Sequence, residues 1–180
     1  MKCIYGIKRP RPESSSSITA YAEKKGYPTQ NIAVFSDSSN YLEMIRNPIF
    51  RDEIFGTMIF DSDLNLLRKD TTLCQWSGCP RLAVMHPDSV YRTVPEFDSR
   101  RLFSGLTLIN DTLRPGTIAN GSYDFIVVNK WAKFIGKMND RIFPVDSCAA
   151  ARKDLRIRCI DLNLDIREEW KMTRRQIRNL

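Results

Sequence analysis

Histidine is almost missing from this chain: His86 is the only one in 180 residues. That scarcity removes whole classes of chemistry. A zinc site built on two or three histidines cannot form. Any Ser-His-Asp or Cys-His centre would have to use His86. Long apolar runs are missing too. No window approaches the roughly 18 consecutive apolar residues that a membrane-crossing helix needs. The five cysteines, Cys3, Cys74, Cys79, Cys148 and Cys159, are odd in number and lack the double-pair spacing of a zinc ribbon. No metal site and no cofactor motif is legible.

What is present suits an ordinary folded domain. Apolar residues make up 42% and charged residues 27% of the chain, which argues against wholesale disorder. The length suits one domain, elaborated by an insertion. The formal net charge is +7, and a positive field attracts anionic partners. The excess sits at the ends, in Lys2, Lys8, Arg9 and Arg11, and in Arg167, Lys171, Arg174, Arg175 and Arg178. Terminal charge of this kind commonly serves solvation. Nucleic acid is a weak expectation, because no helix-turn-helix, zinc finger or aromatic RNA-binding motif accompanies the charge.

Pro10, Pro12 and the Ser14–Ser17 run predict an irregular arm over residues 1–17. A single α/β domain is expected over 18–180. Ser17 is read as the cap of a helix over Ile18–Lys25, stopped by Gly26 and Pro28. Asn31–Phe35 reads as a buried strand. A helix over Tyr41–Arg46, capped by Ser39 or Asn40, should stop at Asn47-Pro48. Glu53–Phe60 reads as a strand, Asp61-Ser62-Asp63 as a turn and Leu64–Arg68 as its antiparallel return. Repeated prolines make 70–120 an irregular insertion, with one helix at Ser99–Leu106. Then come a strand at Asp124–Asn129, a helix from about Lys137 to Lys153 kinked at Pro144, a strand at Arg156–Leu164, and a last helix capped by Asp165. Strands alternating with helices predict parallel neighbours.

Asp124–Met138 (DFIVVNKWAKFIGKM) resembles the first strand and active-site turn of thioredoxin-like proteins, where Trp-Ala-x-Trp precedes Cys-Gly-Pro-Cys. Trp131, Ala132, Phe134 and Gly136 match. Ile135 and Met138 replace the two cysteines, and Lys137 replaces the proline. Cys159–Asp165 (CIDLNLD) resembles the family's following strand. The resemblance implies a thioredoxin-like α/β sheet with flanking helices, permuted or elaborated, in which 124–180 supplies a β-α-β-α unit. The closing hairpin would come from Phe55–Arg68. It also implies that the usual turn is redox-silent, because the attacking thiolate is gone. A second resemblance rests on Tyr5-Gly6-Ile7-Lys8 with Pro10, on Gly136-Lys137, and on Asn163–Ile166 with Trp170. These look like a family of bacterial envelope proteins, many of them lipoproteins. It implies an envelope setting, with Cys3 as the lipid-bearing cysteine, although only Met1 and Lys2 precede it here.

Two functions follow as expectations. The leading one is a non-enzymatic binding or structural module. Its surface would be Trp131, Lys133, Phe134, Gly136 and Lys137, an aromatic and basic patch at a helix start suited to a protein, peptide or anionic ligand. Equally open is that Trp131 is packing. The alternative function is a thiol-disulfide oxidoreductase using Cys74 and Cys79. For that pair, two unlinked thiols and a structural disulfide remain open beside redox work. Cys148 and Cys159 read as small apolar core residues. His86, in a Pro-bounded loop, reads as a surface residue. Asp61, Asp63 and Asp70 suggest turn chemistry rather than a cation loop.

Overall fold

The computed structural model describes residues 6–52, 56–68, 78–109, 123–142 and 144–178. In chain order the elements are β1 (Pro12–Glu13), α1 (Ser15–Lys24), β2 (Ile32–Phe35), α2 (Ser38–Arg46), α3 (Pro48–Asp52), β3 (Thr57–Asp61), α4 (Gly78–Val84), α5 (Ser99–Ser104), β4 (Leu106–Leu108), β5 (Phe125–Trp131), α6 (Pro144–Ala151), β6 (Ile157–Asn163), β7 (Ile166–Arg167) and α7 (Arg174–Arg178). A 3₁₀ segment, Lys133–Arg141, links β5 to α6.

Five strands form one mixed sheet in the order β3-β5-β6-β2-β4. The inner three are parallel, as the alternating pattern predicts, and each edge strand runs antiparallel to its neighbour. The inner strands are buried on both faces, which accounts for continuous apolar runs such as Ile32–Phe35. Period-two alternation sorts the side chains into two cores. Ile126, Val128, Met58, Phe60, Ile160 and Leu162 face one; Phe125, Val127 and Ile59 face the other. β1 and β7 make a separate two-residue parallel pair.

Several boundaries differ from expectation for local reasons. α1 starts earlier because Ser14, not Ser17, is its cap: the Ser17 amide donates to Ser14 Oγ at 3.2 Å. Gly26, at φ +76°, ends it as predicted. Asp37 caps α2 in place of Ser39 or Asn40, accepting both of their amides. Asn47-Pro48 does stop α2, but it also begins α3, because proline suits a first helical position. The same property moves Pro144 from the middle of one long helix to the first residue of α6. The region read as an irregular insertion contributes α4, α5 and the edge strand β4 among its described residues. The return after β3 pairs with it through a single bridge, Phe60 to Leu66, and Leu67 bridges onward to Thr93, so no second strand forms there. Asp165 caps no helix: β7, a 3₁₀ turn over Glu168–Trp170 and the short α7 follow it.

Candidate functional site

Of the residues proposed from sequence as one exposed patch, Trp131 lies in the core, whereas Lys133, Phe134 and Gly136 are half-buried and Lys137 is exposed. Trp131 is 1% exposed. Its ring stacks on Tyr21, centroids 6.0 Å apart, and its indole N–H donates to the Asp161 carbonyl at 3.3 Å. The packing reading of Trp131 therefore describes its place. Phe134 is half-buried, and its carbonyl accepts the Lys8 amide at 2.7 Å. Gly136 takes φ +59° inside the 3₁₀ segment, a conformation that favours glycine. Lys137 is exposed.

Lys133 is the member that enters a site. It lies just beyond the carboxyl end of β5, and its Nζ donates to Glu13 Oε2 and to Ser17 Oγ, both at 2.5 Å. Ser17 Oγ itself donates to Glu13 at 2.7 Å, and Arg11 Nε donates to the other carboxylate oxygen at 3.0 Å. Burial opposes ionisation of Glu13, but the hydrogen bonds from Lys133, Ser17 and Arg11 outweigh it and hold the carboxyl below its ordinary value. Arg167 arrives from β7. It is 5% exposed, donates to Ser15 Oγ at 2.6 Å and pairs with Glu169 at 2.5 Å. Its Nε has no hydrogen-bond partner among the described residues. Asp165 closes the network by accepting the Lys133 amide at 2.8 Å and Asn163 Nδ2 at 2.9 Å, while burial pushes its carboxyl up.

The geometry thus brings two cations and a run of serine hydroxyls to the first turn of the ten-residue helix α1. A helix start presents unpaired amides and partial positive charge. The site also stands outside the carboxyl ends of β5 and β6, the end of a parallel sheet where ligands bind in open α/β folds. Chemically it can hold an oxyanion. The sequence signal for Lys133 was the Lys-rich turn; Glu13, Ser15 and Arg167 could not be associated with it, because they lie over 100 residues away along the chain or beyond the next strand.

No family model matches the chain, and no curated protein and no solved structure matches it either.

The cysteine candidates fall differently. Cys79 is bonded to Cys148, tying α4 to α6, so its partner is not a cysteine five residues away. Cys74 and Cys3 lie outside the described residues. Cys148 is accordingly not the free core thiol expected from its alanine-rich helix. Cys159 is free, and burial, then the neighbouring Asp146, pushes its thiol far from the thiolate form. His86 is exposed in a turn, with its carbonyl held by the Tyr91 hydroxyl at 3.0 Å. The Asp61 carboxylate accepts the amides of Asp63 and Asn65, as turn chemistry requires, and Asp70 lies outside the described residues. Among the described residues no group of three or more His, Cys, Asp or Glu is placed to hold a metal ion, and no helix is long and apolar enough to cross a membrane.

A second polar cluster lies on the opposite face of β5 and β6. Thr57 Oγ1 donates to Asn129 Oδ1, and Asn129 Nδ2 donates to both Asp146 and Asp161, at 3.1 and 3.2 Å. Burial, then the charge of Asp146, raises the Asp161 carboxyl well above its ordinary 3.8. A raised acid favours folding in its protonated form, so this contribution is present in acid and is lost as pH rises from about 4. Asp161 Oδ2 also lacks a hydrogen-bond donor among the described residues. Asp161→Asn removes the charge and supplies a donor facing Asp146. Urea unfolding at pH 7.5 should show the variant more stable by about 1–3 kcal/mol, the usual cost of an unsatisfied buried group. The gain should shrink toward pH 4. A loss of stability at pH 7.5 would contradict this reading.

Proposed function

We propose that the chain is a non-enzymatic binding module that takes an anionic group at the first turn of α1, beside the carboxyl ends of β5 and β6. One observation carries this reading: the half-buried Lys133 and the buried Arg167 donate to two hydroxyls of that helix start, Ser17 and Ser15, and Lys133 already holds a carboxylate there, that of Glu13. Burying a cation such as Arg167 costs several kcal/mol unless anions compensate it, and here Glu169 pairs with Arg167 and Glu13 with Lys133. A site that retains the two cations there is suited to anion recognition.

The likeness to thioredoxin-like proteins supports the same class of function. Residues 125–163 supply two parallel neighbouring strands joined through a turn and a helix. The antiparallel strands β3 and β4 stand on opposite edges and do not form the closing hairpin that the likeness implied. The envelope setting implied by the second resemblance is an oxidising one, where disulfides persist.

The test is a titration with pyrophosphate in low salt, followed by amide chemical shifts. Resonances of Ser15, Ser16 and Ser17 should move, and Lys133→Gln should weaken binding by roughly tenfold or more, the worth of one charge-assisted hydrogen bond. Lys137→Gln, an equally basic residue on the exposed side of the same turn, should leave affinity within about twofold, since it loses only a screened surface charge. Equal losses in the two variants would mean that diffuse surface charge, not the site, holds the anion.

A further inference from the structure

One inner strand of the sheet has a neighbour on one side along only part of its length. β6 pairs with β5 throughout, from Ile157 to Asn163, but β2 meets it only at Asp161 and Leu162. Among the described residues, 157–160 therefore keep an open edge on the β2 side. The phase of the strand decides which groups face it. The Arg156 carbonyl accepts the amides of Asp124 and Phe125, on the β5 side. Successive residues of a strand turn their N–H and C=O to opposite sides. Ile157 and Cys159 consequently direct theirs to the open side, where no described backbone group bonds them. Such a row of unpaired groups is a template for an added strand.

A cleft of about 560 Å³ lies along this edge, between residues 28–31 and the end of α6. Its volume falls in the roughly 300–1,000 Å³ range of ligand clefts. Its charge is one-sided: Arg152, Lys153, Arg156 and Arg158 line it, against a single acid, Asp146. Arg152 and Arg156 already pair with Asp154 and Asp124, at 2.7 and 2.8 Å, whereas Lys153 and Arg158 have no acidic partner among the described residues. Alternation puts Arg158 on the face of Ile160 and Leu162, while Ile157 and Cys159 face α6. Lys153 follows α6 directly, so the two uncompensated cations flank the edge from its two faces.

We infer that this edge takes an extended acidic peptide segment of another protein by strand addition, at the end of β6 remote from the anion site. The peptide backbone pairs with Ile157 and Cys159. Two successive carboxylates of the peptide project to opposite faces and meet Lys153 and Arg158. A second copy of this chain is a poor occupant, because its net charge of +7 brings like charge to a cationic cleft. A nucleic acid strand supplies the charge but has no alternating N–H and C=O groups to continue the sheet.

The test is fluorescence anisotropy of the full chain with a labelled peptide, Thr-Val-Glu-Glu-Val-Thr. Two N-methylated forms of it, one for each alternating set of amides, and a short oligothymidylate serve as further probes. The parent peptide should bind, and should slow amide exchange at Ile157 and Cys159 in the wild-type chain. One methylated form should bind about tenfold or more weakly, the cost of losing two or three backbone bonds, and the other should bind more tightly than it. Lys153→Gln with Arg158→Gln should weaken the parent peptide by about fivefold or more, for two partly exposed ion pairs. The methylated peptides and the exchange data use the wild-type chain, so they decide the matter even where the double variant fails to fold. No binding, equal affinity for all three peptides, or unchanged affinity in a folded double variant would overturn the inference. So would oligothymidylate that slows exchange at the same two amides, or self-association that protects them without peptide.

Discussion

Trp131→Ala should destabilise the fold by about 3–5 kcal/mol, the range for truncating a large buried aromatic. The ring is 1% exposed and stacked on Tyr21, whose hydroxyl in turn accepts from Asn139 Nδ2 at 3.1 Å. Asn139 spans the 3₁₀ segment and also donates to the Ala132 carbonyl at 2.9 Å. Removing the indole thus opens a cavity and loosens the contact that registers α1 against the end of β5. A domain of this size with an ordinary stability of 5–15 kcal/mol would lose a large share of it. Trp131→Phe keeps most of the volume but forfeits the indole N–H bond to the Asp161 carbonyl, and should cost less than half as much. Thermal unfolding of the three proteins checks the ranking. If Trp131 instead served a ligand at the surface, Trp131→Ala would leave the melting temperature unchanged and lower only binding.

That residue also shows how far the sequence could be read. The apolar strand before Trp131 and the turn after it were legible, because a continuous apolar run and a glycine leave local marks. The direction of the indole was not. A tryptophan beside two lysines has the same local pattern whether it faces solvent or a helix folded back from more than 100 residues earlier. α1 supplies Tyr21 as the stacking partner, and nothing near Trp131 announces it. The same holds for the anion cradle. Lys133 carried a signal, whereas Glu13 fell in the irregular arm and Arg167 read as a member of a charged terminal cluster, and nothing local announces that Glu13 meets Lys133 or that β1 pairs with β7. Helix boundaries failed more locally. Pro144 and Pro48 were read as interruptions, but a missing N–H at a helix start costs nothing, so each begins a helix instead. The edge strand β4 is three residues long, too short to show a period.

Reducing the Cys79–Cys148 bond should lower the melting temperature by roughly 8–16 °C. The bond spans 69 residues, and closing a loop of that length removes about 4 kcal/mol of unfolded-state entropy. For a domain of this length each kcal/mol shifts the midpoint by about 2–4 °C. The position of the bond makes the full effect accessible. It joins α4 to α6 over the smaller of the two cores, where Leu82, Met85, Val145 and Ala149 are buried together. A second link across the same contact is Arg152, which donates to the carbonyls of Leu82 and Met85 and pairs with Asp154 at 2.7 Å. That link persists after reduction, so α4 should stay docked in the native state and the loss should come from the unfolded chain. Cys79→Ser with Cys148→Ser should reproduce the reduced protein, and its amide spectrum should change only near α4 and α6. Alkylation mass spectrometry across a glutathione series separates this structural role from thiol exchange. A bond that is structural stays closed through the cellular range of potentials. Reversible opening within that range, with little change in melting temperature, would instead make Cys79 and Cys148 an exchanging pair and put a thiol oxidoreductase ahead of the binding module.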